Sequence, residues 1–158
     1  MFRYQKPDFD SIVEIMDLAH QCGLSVWTEN HFREEFVRDD SRQVIATKNK
    51  EVVGFSILRL TNIFYLENTF ENKYKEAEIL FIAVKPEFQD RGIGKTLLDM
   101  ILESAVLLGV ETVWLEVRKS NYNAVSFYKK NSFTHAYTRH NYFQKPAENA
   151  AVMKRNLN

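Results

Sequence analysis

Residues 78–117 constrain the fold more than any other part of the chain. Residues 78–84 form a strongly apolar run that predicts a buried strand, and Pro86 ends it. From residue 94 to 108, apolar residues recur at three- and four-residue spacing, which predicts one face of a helix. Residues 110–117 predict the next strand. Strand, helix and strand in this order predict a βαβ unit, whose two strands are parallel and whose crossover is right-handed.

Further elements are predicted on both sides of this unit. A helix is expected after Pro7, and a second, shorter helix begins at Thr28, a residue type that caps helix N-termini. Residues 62–76 lack a clear period, and we expect a loop or insertion there, serving as a lid, a dimer contact or a plain surface loop. The order of elements predicts a mixed α/β sheet with helices on its faces, in a single domain spanning 1–158. Predicted strands are residues 2–5, 43–47, 52–60, 133–142 and 151–154, and the last helix is 121–130.

Composition excludes several classes of function. The 158 residues carry 21 basic and 21 acidic side chains, so no net charge draws the chain to nucleic acid or to an anionic membrane. Cys22 is the only cysteine, which excludes an intrachain disulfide, and the four histidines lack the spacing of metal ligands, so no metal is expected. Residues 1–10 do not resemble a signal peptide, and no run of about 18 apolar residues occurs. We expect a cytoplasmic monomer or homodimer.

A local anion site is predicted between the strand at 78–84 and the following helix. Glycines let the backbone curl so that successive N–H groups point at one anion, and the helix N-terminus adds partial positive charge. Arg91 and Lys95 add two full charges. The spacing matches neither a P-loop nor a dinucleotide fingerprint, and tight turns also need glycine for steric reasons alone. The segment reads Gln89-Asp90-Arg91-Gly92-Ile93-Gly94-Lys95.

The pattern Gln89-x-x-Gly92-x-Gly94, between a buried strand and an amphipathic helix, resembles the acyl-CoA signature of the GNAT acetyltransferase superfamily. Residues 114–121 (WLEVRKSN) extend the resemblance to the RimI-type subgroup, which acetylates protein N-termini, notably a ribosomal-protein alanine. The likeness covers most of the chain except about residues 61–76. Other residues that carry it are Val26, Trp27, Thr28, Phe32, Ala124, Phe127, Tyr128, Phe133, Asn141 and Tyr142.

The resemblance implies a mostly antiparallel sheet of six or seven strands with a parallel βαβ core, and acetyl-CoA as co-substrate. It implies that Glu116 is the general base and Tyr128 the general acid. The backbone of Ile82, Ala83 and Val84 would meet the pantetheine arm, and Asn121 would contact the cofactor. The pyrophosphate would lie on the segment from Gln89 to Lys95, chiefly on Asp90, Arg91, Gly92, Ile93, Gly94 and Lys95.

The chemistry of these side chains agrees with the implied roles. An α-amine has a pKa near 8, so a base must remove a proton before it attacks a thioester. Strand alternation points Glu116 away from Val113 and Leu115, into a groove beside Trp114 or into solvent. Because the pKa of tyrosine is near 10 and that of a simple thiol about 8.5, Tyr128 would mainly hydrogen-bond the departing thiolate. Core packing is the alternative role for Tyr128.

The acceptor is left open by the sequence. RimI-type chains carry an acidic, glycine-containing turn where this chain has residues 143–149, with Lys145 and no glycine. A protein N-terminus acetylated by direct transfer in a ternary complex is our leading hypothesis. A polyamine, an amino sugar or another small amine is the alternative acceptor. A non-catalytic acyl-CoA-binding module would need the phosphate loop, but not Glu116 and Tyr128 together.

Overall fold

The computed structural model describes residues 1–24, 27–65 and 72–157, and the strands among them join one sheet. Its strand order is β1-β2-β3-β4-β5-β7-β6. β4 and β5 are parallel, and the other neighbouring pairs are antiparallel, which confirms the predicted fold class and βαβ unit. The elements are β1 (Arg3–Gln5), α1 (Ile12–Gln21), α2 (Glu29–Phe36), β2 (Ser41–Lys48), β3 (Glu51–Tyr65), β4 (Asn72–Val84), α3 (Ile93–Leu107), β5 (Thr112–Arg118), α4 (Tyr122–Lys130), β6 (Thr134–Gln144) and β7 (Ala147–Asn156).

Helices cover both faces of the sheet. α1 and α2 pack on one face, where Phe32 of α2 meets Phe55 and Phe81 of the sheet. α3 and α4 pack on the other face, which carries Leu58 and Leu115. This division follows from strand alternation, because successive side chains of a strand point to opposite faces. Thr28 caps α2 as predicted, with its Oγ1 accepting from the His31 N–H at 3.4 Å; Val26, two residues earlier, lies outside the described residues.

The expected loop at residues 62–76 is wrong for the part that the structure describes. β3 continues to Tyr65 and β4 begins at Asn72, with these two residues opposite each other in the register. The hairpin is therefore longer than the apolar pattern indicated. A ladder of backbone hydrogen bonds can extend past the core, whereas a hydrophobic period records only the buried part. Residues 66–71 of the expected loop lie outside the described residues.

A bulge in β4 changes the direction of its side chains. Ile57 of β3 pairs with Phe81, but the next residue, Leu58, pairs with Ile79, so Leu80 is an extra residue in β4. One extra residue reverses the alternation, because the side-chain period of a strand is two. Phe81 consequently packs under α1 and α2, whereas Ile79 packs under α3.

α3 lies directly on β3 at Gly54. A Cβ built at Gly54 would lie 3.1 Å from the carbonyl oxygen of Ala83 and 3.1 Å from Leu97 Cδ1, closer than ordinary van der Waals contact. The missing side chain thus lets the first half of α3 approach the sheet. This close approach fixes where the N-terminus of α3 stands relative to the end of β4.

We expect Gly54→Ala to lower the free energy of unfolding by roughly 1–3 kcal/mol, because the added methyl group overpacks the contact between α3 and β3. Urea unfolding measures this change. Gly94→Ala is the matched control: its Cβ would stand 3.7 Å from Phe127 and Val84, an ordinary contact. Equal stability of Gly54→Ala and the wild type would contradict the close packing described.

Candidate active site

A gap opens between β4 and β5. Their parallel pairing runs from Glu76↔Thr112 to Ile79↔Leu115 and ends there within the described residues. β4 continues to Val84 paired only with β3, and β5 continues to Arg118 paired only with β7. The pairing ends beside the bulge at Leu80. Because a bulge bends the strand that carries it, we attribute the separation of the two strands to this extra residue.

Backbone groups of β4 face this gap. The Lys85 N–H donates to the Val53 carbonyl at 2.9 Å, and backbone groups of an antiparallel strand point alternately to either side. The N–H and C=O of Ile82 and Val84 therefore point into the gap, whereas those of Ala83 point to β3. Of the three residues expected to meet a pantetheine arm, Ile82 and Val84 thus point backbone groups into the gap and Ala83 does not.

The end of β4 is joined to the predicted phosphate loop by hydrogen bonds. Gln89 Nε2 donates to the Val84 carbonyl oxygen at 3.0 Å. The Cys22 thiol contacts the same oxygen at 3.5 Å, and burial raises the pKa of this thiol. Gln89 thus fixes the start of the loop to the strand, instead of directing its amide outward. Cys22 is held as a protonated, half-buried group behind the strand.

The loop ends in an uncapped helix N-terminus. Asp90 and Gly92 have φ of +57° and +80°, and Gly92 is the residue before α3. The left-handed conformation at Gly92 suits a residue without Cβ and turns the backbone N–H groups to one side. The first bond within the helix is from the Thr96 N–H to the Gly92 carbonyl, at 3.0 Å. No side chain caps α3, so the preceding N–H groups can bind an anion.

Side chains of the loop are arranged in accord with an anion site. Residues 89–92 are exposed, and the Arg91 guanidinium lies 5.4 Å from the centre of the Phe88 ring. Lys95 Nζ lies 2.6 Å from Asp99 Oδ1, so part of its charge is already balanced. Ile93 is buried among Val53, Val84 and Leu97 of the core and offers only its backbone. The loop therefore fits a diphosphate through its backbone and Arg91 more than through Lys95.

Glu116 lies on β5 one residue beyond the last pair with β4. Its side chain is 16% exposed and points to the face opposite the buried Leu115, as strand alternation predicts. It lines a cavity of about 320 Å³. The other residues around this cavity are Thr61, Glu78, Trp114, Leu115, Tyr137, Arg139, Tyr142 and Val152. The predicted base thus lies in a groove beside Trp114, and not in open solvent.

Two groups from β6 engage the Glu116 carboxylate. Arg139 Nη1 donates to Glu116 Oε1 in an ion pair, and the guanidinium lies 4.5 Å from the centre of the Tyr142 ring. Hydrogen bonding to Glu116, followed by burial, raises the pKa of Tyr142 to about 12. The Tyr142 hydroxyl therefore stays protonated at neutral pH and acts as a donor.

Glu78 is a second carboxyl group at this cavity. It lies directly opposite Trp114 in the β4–β5 register, and the bulge at Leu80 places it on the same face as Glu116. Burial, followed by the charge of Glu116, raises the pKa of Glu78. No side-chain hydrogen bond and no ion pair within 4.0 Å joins the Glu78 carboxyl group to another described residue. The site thus contains a carboxyl group that binds protons more readily than an ordinary glutamate.

Tyr128 lies on α4, on the other face of the sheet from Glu116. It is buried in the core, and its ring contacts Phe127 and Phe133 at centroid distances of 5.3 and 5.5 Å. Burial raises the pKa of Tyr128. Glu116 and Tyr128 can act on one molecule only where a passage joins the two faces, and the gap between β4 and β5 is such a passage.

The loop before α4 is tied to the turn between β6 and β7. Asn121 Oδ1 accepts from the Ala124 N–H at 3.1 Å, so this oxygen caps α4 and only the amide NH₂ is left for a cofactor. The Ser120 N–H donates to Glu148 Oε1 at 2.6 Å. Arg118 donates to the carbonyl oxygens of Lys145 and Pro146 at 3.1 and 3.0 Å, and to Glu148. These bonds hold the loop and the turn together.

The resemblance placed Arg139 and Tyr142 near the peptide site, but sequence reasoning did not place them, or Glu78, beside Glu116. Arg139 and Tyr142 lie 23 and 26 residues after Glu116, and no local pattern joins them to it. Glu78 did give a signal, because it is a charged residue at the start of an otherwise apolar strand. Within the described part of the chain, no group of three or more His, Cys, Asp or Glu side chains could hold a metal ion. None of the helices described is long and apolar enough to span a membrane.

Known proteins resemble this chain over nearly its whole length. The model of the "Acetyltransferase (GNAT) family" matches residues 12–133. The [ribosomal protein bS18]-alanine N-acetyltransferase of Haemophilus influenzae is 33% identical over 150 residues, which cover 92% of this chain and 90% of the relative. Its namesake from Haemophilus ducreyi is 38% identical over 152 residues, 92% of each. The solved ribosomal-protein-S18-alanine N-acetyltransferase of Escherichia coli superimposes with a TM-score of 0.81 at 24% identity, covering 99% of this chain and 94% of that one.

We expect Arg91→Ala to raise the Kd for coenzyme A about five- to tenfold, or roughly 1 kcal/mol, because the guanidinium no longer contacts a phosphate. Calorimetric titration at two salt concentrations measures this loss of affinity. Raising the salt concentration should also weaken the binding of coenzyme A by the wild type, because salt screens the charge of Arg91. Arg33→Ala is the control, since Arg33 is an exposed arginine of α2 that pairs with Glu29. An unchanged Kd in Arg91→Ala would show that Arg91 does not contribute to the anion site.

Proposed function

The chain belongs to the GNAT family of acetyltransferases, and we propose that it acetylates the α-amine of protein N-termini by direct transfer from acetyl-CoA. Members of this family use acetyl-CoA, and the chain is accordingly an acyltransferase. The finer statement, that the acceptor is a protein N-terminus, is supported by two relatives that are named for a ribosomal-protein alanine. Both relatives are matched over about nine-tenths of their length.

The proposed reaction needs no covalent enzyme intermediate. Bound acetyl-CoA supplies a thioester whose carbonyl carbon is the electrophile. The amine nitrogen forms a bond to this carbon, the carbon–sulfur bond breaks, and the electron pair leaves on the sulfur. An amine that arrives as ammonium loses two protons: the first is removed before attack, and the second leaves the nitrogen once the new bond has formed and ends on the sulfur, which departs as the CoA thiol. Every atom is then accounted for without a nucleophilic side chain, which agrees with Cys22 being protonated behind the strand.

Glu116 would take the proton from the amine. Its carboxylate lies in the cavity beside the gap and is oriented by Arg139, which donates to Oε1, and by Tyr142. An amine with a pKa near 8 reaches the cavity mostly as ammonium, so proton removal is required before attack. The base would act from the α1/α2 face of the sheet.

Tyr128 would stabilise the departing sulfur from the other face. Within the described residues its hydroxyl has no protein hydrogen-bond partner, so it is available to a ligand in the gap. Because burial raises the pKa of Tyr128, full proton transfer to a thiolate is unfavourable. We therefore assign Tyr128 the role of hydrogen-bond donor to the thiolate rather than that of a complete proton donor.

The observation that carries this proposal is the position of Glu116, at the point where β4 and β5 separate. A chain that only sheltered acyl-CoA would need the loop at residues 89–95 but no carboxylate in a groove beside the gap. The experiment is to follow free-thiol release from acetyl-CoA with an N-terminal peptide that starts with alanine. Peptide-dependent release supports the proposal, and release with small amines alone would refute the N-terminal assignment.

One observation favours a small cationic acceptor as the second candidate. Glu78 and Glu116 both line the cavity, whereas Arg139 is its one basic lining residue among those described. A polyamine would complement such a cavity. A screen of spermidine, amino sugars and free amino acids against the alanine peptide, at equal concentration, separates the two candidates by kcat/KM.

We expect Glu116→Gln to lower kcat about 10²–10⁴-fold at neutral pH, because the amide cannot accept the proton of the amine. The Kd for coenzyme A should stay within twofold of the wild type, since Glu116 lies away from the phosphate loop. The activity of the variant should recover partly at high pH, where more of the amine is already neutral. Full turnover of the variant on every acceptor at neutral pH would reject Glu116 as the base.

We expect Tyr128→Phe to lower kcat about tenfold or more while KM for the acceptor is unchanged, because only the hydrogen bond to the departing sulfur is lost. The ring contacts with Phe127 and Phe133 remain, so thermal unfolding should be nearly unchanged. Phe133→Leu is the packing control: it should lower stability more than kcat. A Tyr128→Phe variant with wild-type kcat would leave Tyr128 a role in core packing alone.

A further inference from the structure

The cavity beside Glu116 is short of positive charge. Glu78 and Glu116 line it together with one basic residue among those described, Arg139. The tyrosines at its wall, Tyr137 and Tyr142, carry no cationic group. A cationic ligand is therefore complementary to the two carboxylates of the cavity.

Two cations of neighbouring strands lie close to the cavity, but among the described residues neither forms an ion pair with Glu78 or Glu116. Arg59 of β3 lies opposite Glu78 in the register, but it donates its hydrogen bonds to Glu35, a buried carboxylate of α2. Lys154 of β7 lies 5.5 Å from the centre of the Trp114 ring. Arg139 is thus the cation that directly contacts a carboxylate of the cavity.

Arg139 is held in a way that permits it to leave. Its side chain is 48% exposed, and β6 pairs irregularly with β7 between Arg139 and Phe143, where Asn141 has a φ of +51°. The exposed guanidinium is well hydrated after it leaves, whereas Glu116, at 16% exposed, keeps a cationic partner because the incoming cation replaces Arg139. The face of the Tyr142 ring, already 4.5 Å from the guanidinium, offers Arg139 a second contact when it leaves Glu116.

We propose that Glu78 and Glu116 form one subsite for the cationic amine of the acceptor, and that Arg139 occupies this subsite until the acceptor displaces it. The inference rests on the proposed acetylation of an amine. Arg139 then acts as an internal substitute for the substrate cation and selects for acceptors that arrive charged. Neutral amines and amides cannot replace the guanidinium that is paired with Glu116.

The same exchange explains how the product leaves. The acceptor enters as an ammonium ion, and Glu116 takes the proton that frees the nitrogen for attack. The acetylated product is an amide without charge, so it no longer balances Glu78 and Glu116. Glu116 then releases its proton to solvent, and Arg139 returns to the carboxylate and closes the subsite behind the product. Acceptor binding and product release thus depend on the same guanidinium.

Calorimetry on the CoA-loaded protein tests this exchange without turnover. The probes are an alanine-starting peptide, the same peptide with its N-terminus acetylated, and spermidine. Arg139→Gln should bind the free-amine peptide or spermidine about fivefold more tightly than the wild type, because no internal cation competes for the carboxylates. Its affinity for the acetylated peptide should change less than twofold. Arg139→Lys, which retains the charge, should resemble the wild type.

Two further variants complete the test. His140→Gln is the matched control, since His140 is the exposed neighbour of Arg139 on β6, and it should bind all three probes as the wild type does. Glu78→Gln should bind the free-amine probes about tenfold more weakly, with the Kd for coenzyme A unchanged. If Glu78→Gln binds them as the wild type does, Glu78 is not part of the subsite.

Other results overturn the exchange itself. Weaker binding of the free amines by Arg139→Gln would show that Arg139 contacts the acceptor favourably. Equal binding would show that Arg139 does not compete with it. Equal tightening for the acetylated peptide would show a steric effect, and no binding of either amine to Arg139→Gln would equally refute the proposal. Failure of the proposed function is seen separately, as wild-type protein that binds acetyl-CoA but releases no thiol with any amine.

Discussion

One extra residue in β4 determines how the two sides of this site meet. Leu80 interrupts the pairing of β4 with β3, and the pairing of β4 with β5 stops at the residue before it. Without the bulge, the parallel pair would continue to the end of the strands and would use the backbone groups of Ile82 and Val84 internally. Separation of the strands instead points these groups toward a passage between the faces, where the Val84 carbonyl oxygen accepts from Gln89 and the others are not paired with β5. The bulge also directs Glu78 toward Glu116 and away from α3.

The sheet therefore divides the site, and different kinds of interaction position the groups on each side. The loop at residues 89–95 and the N-terminus of α3 present backbone N–H groups and partial charges in an exposed position. Tyr128, by contrast, is part of the core, so its hydroxyl is positioned by the packing of Phe127 and Phe133. On the opposite face, Glu116 depends on charged and aromatic side chains of β6. The gap is the place where these three environments come together.

The sequence predicted what depends on local pattern. The βαβ unit, the loop at residues 89–95 and the cap at Thr28 were predictable because strand period, glycine spacing and capping chemistry act over a few residues. The outward direction of Glu116 followed from alternation along β5 alone. The direction of the Glu78 side chain could not be predicted in this way, because it depends on a bulge whose position no residue type indicates. The ion pair with Arg139 depends on the register of an irregular edge strand, and the length of the β3–β4 hairpin on backbone pairing beyond the core.

The contacts of Arg118 have a consequence for how cofactor and acceptor sense each other. Arg118 binds the turn between β6 and β7, and Glu148 in that turn binds the Ser120 N–H, one residue before Asn121. Hydrogen bonds thus link the loop that begins α4 to the strand that carries Arg139 and Tyr142. A cofactor that reorients the Asn121 loop also shifts the groups that orient Glu116. Cofactor binding near Asn121 would in this way affect the orientation of Glu116, the proposed general base.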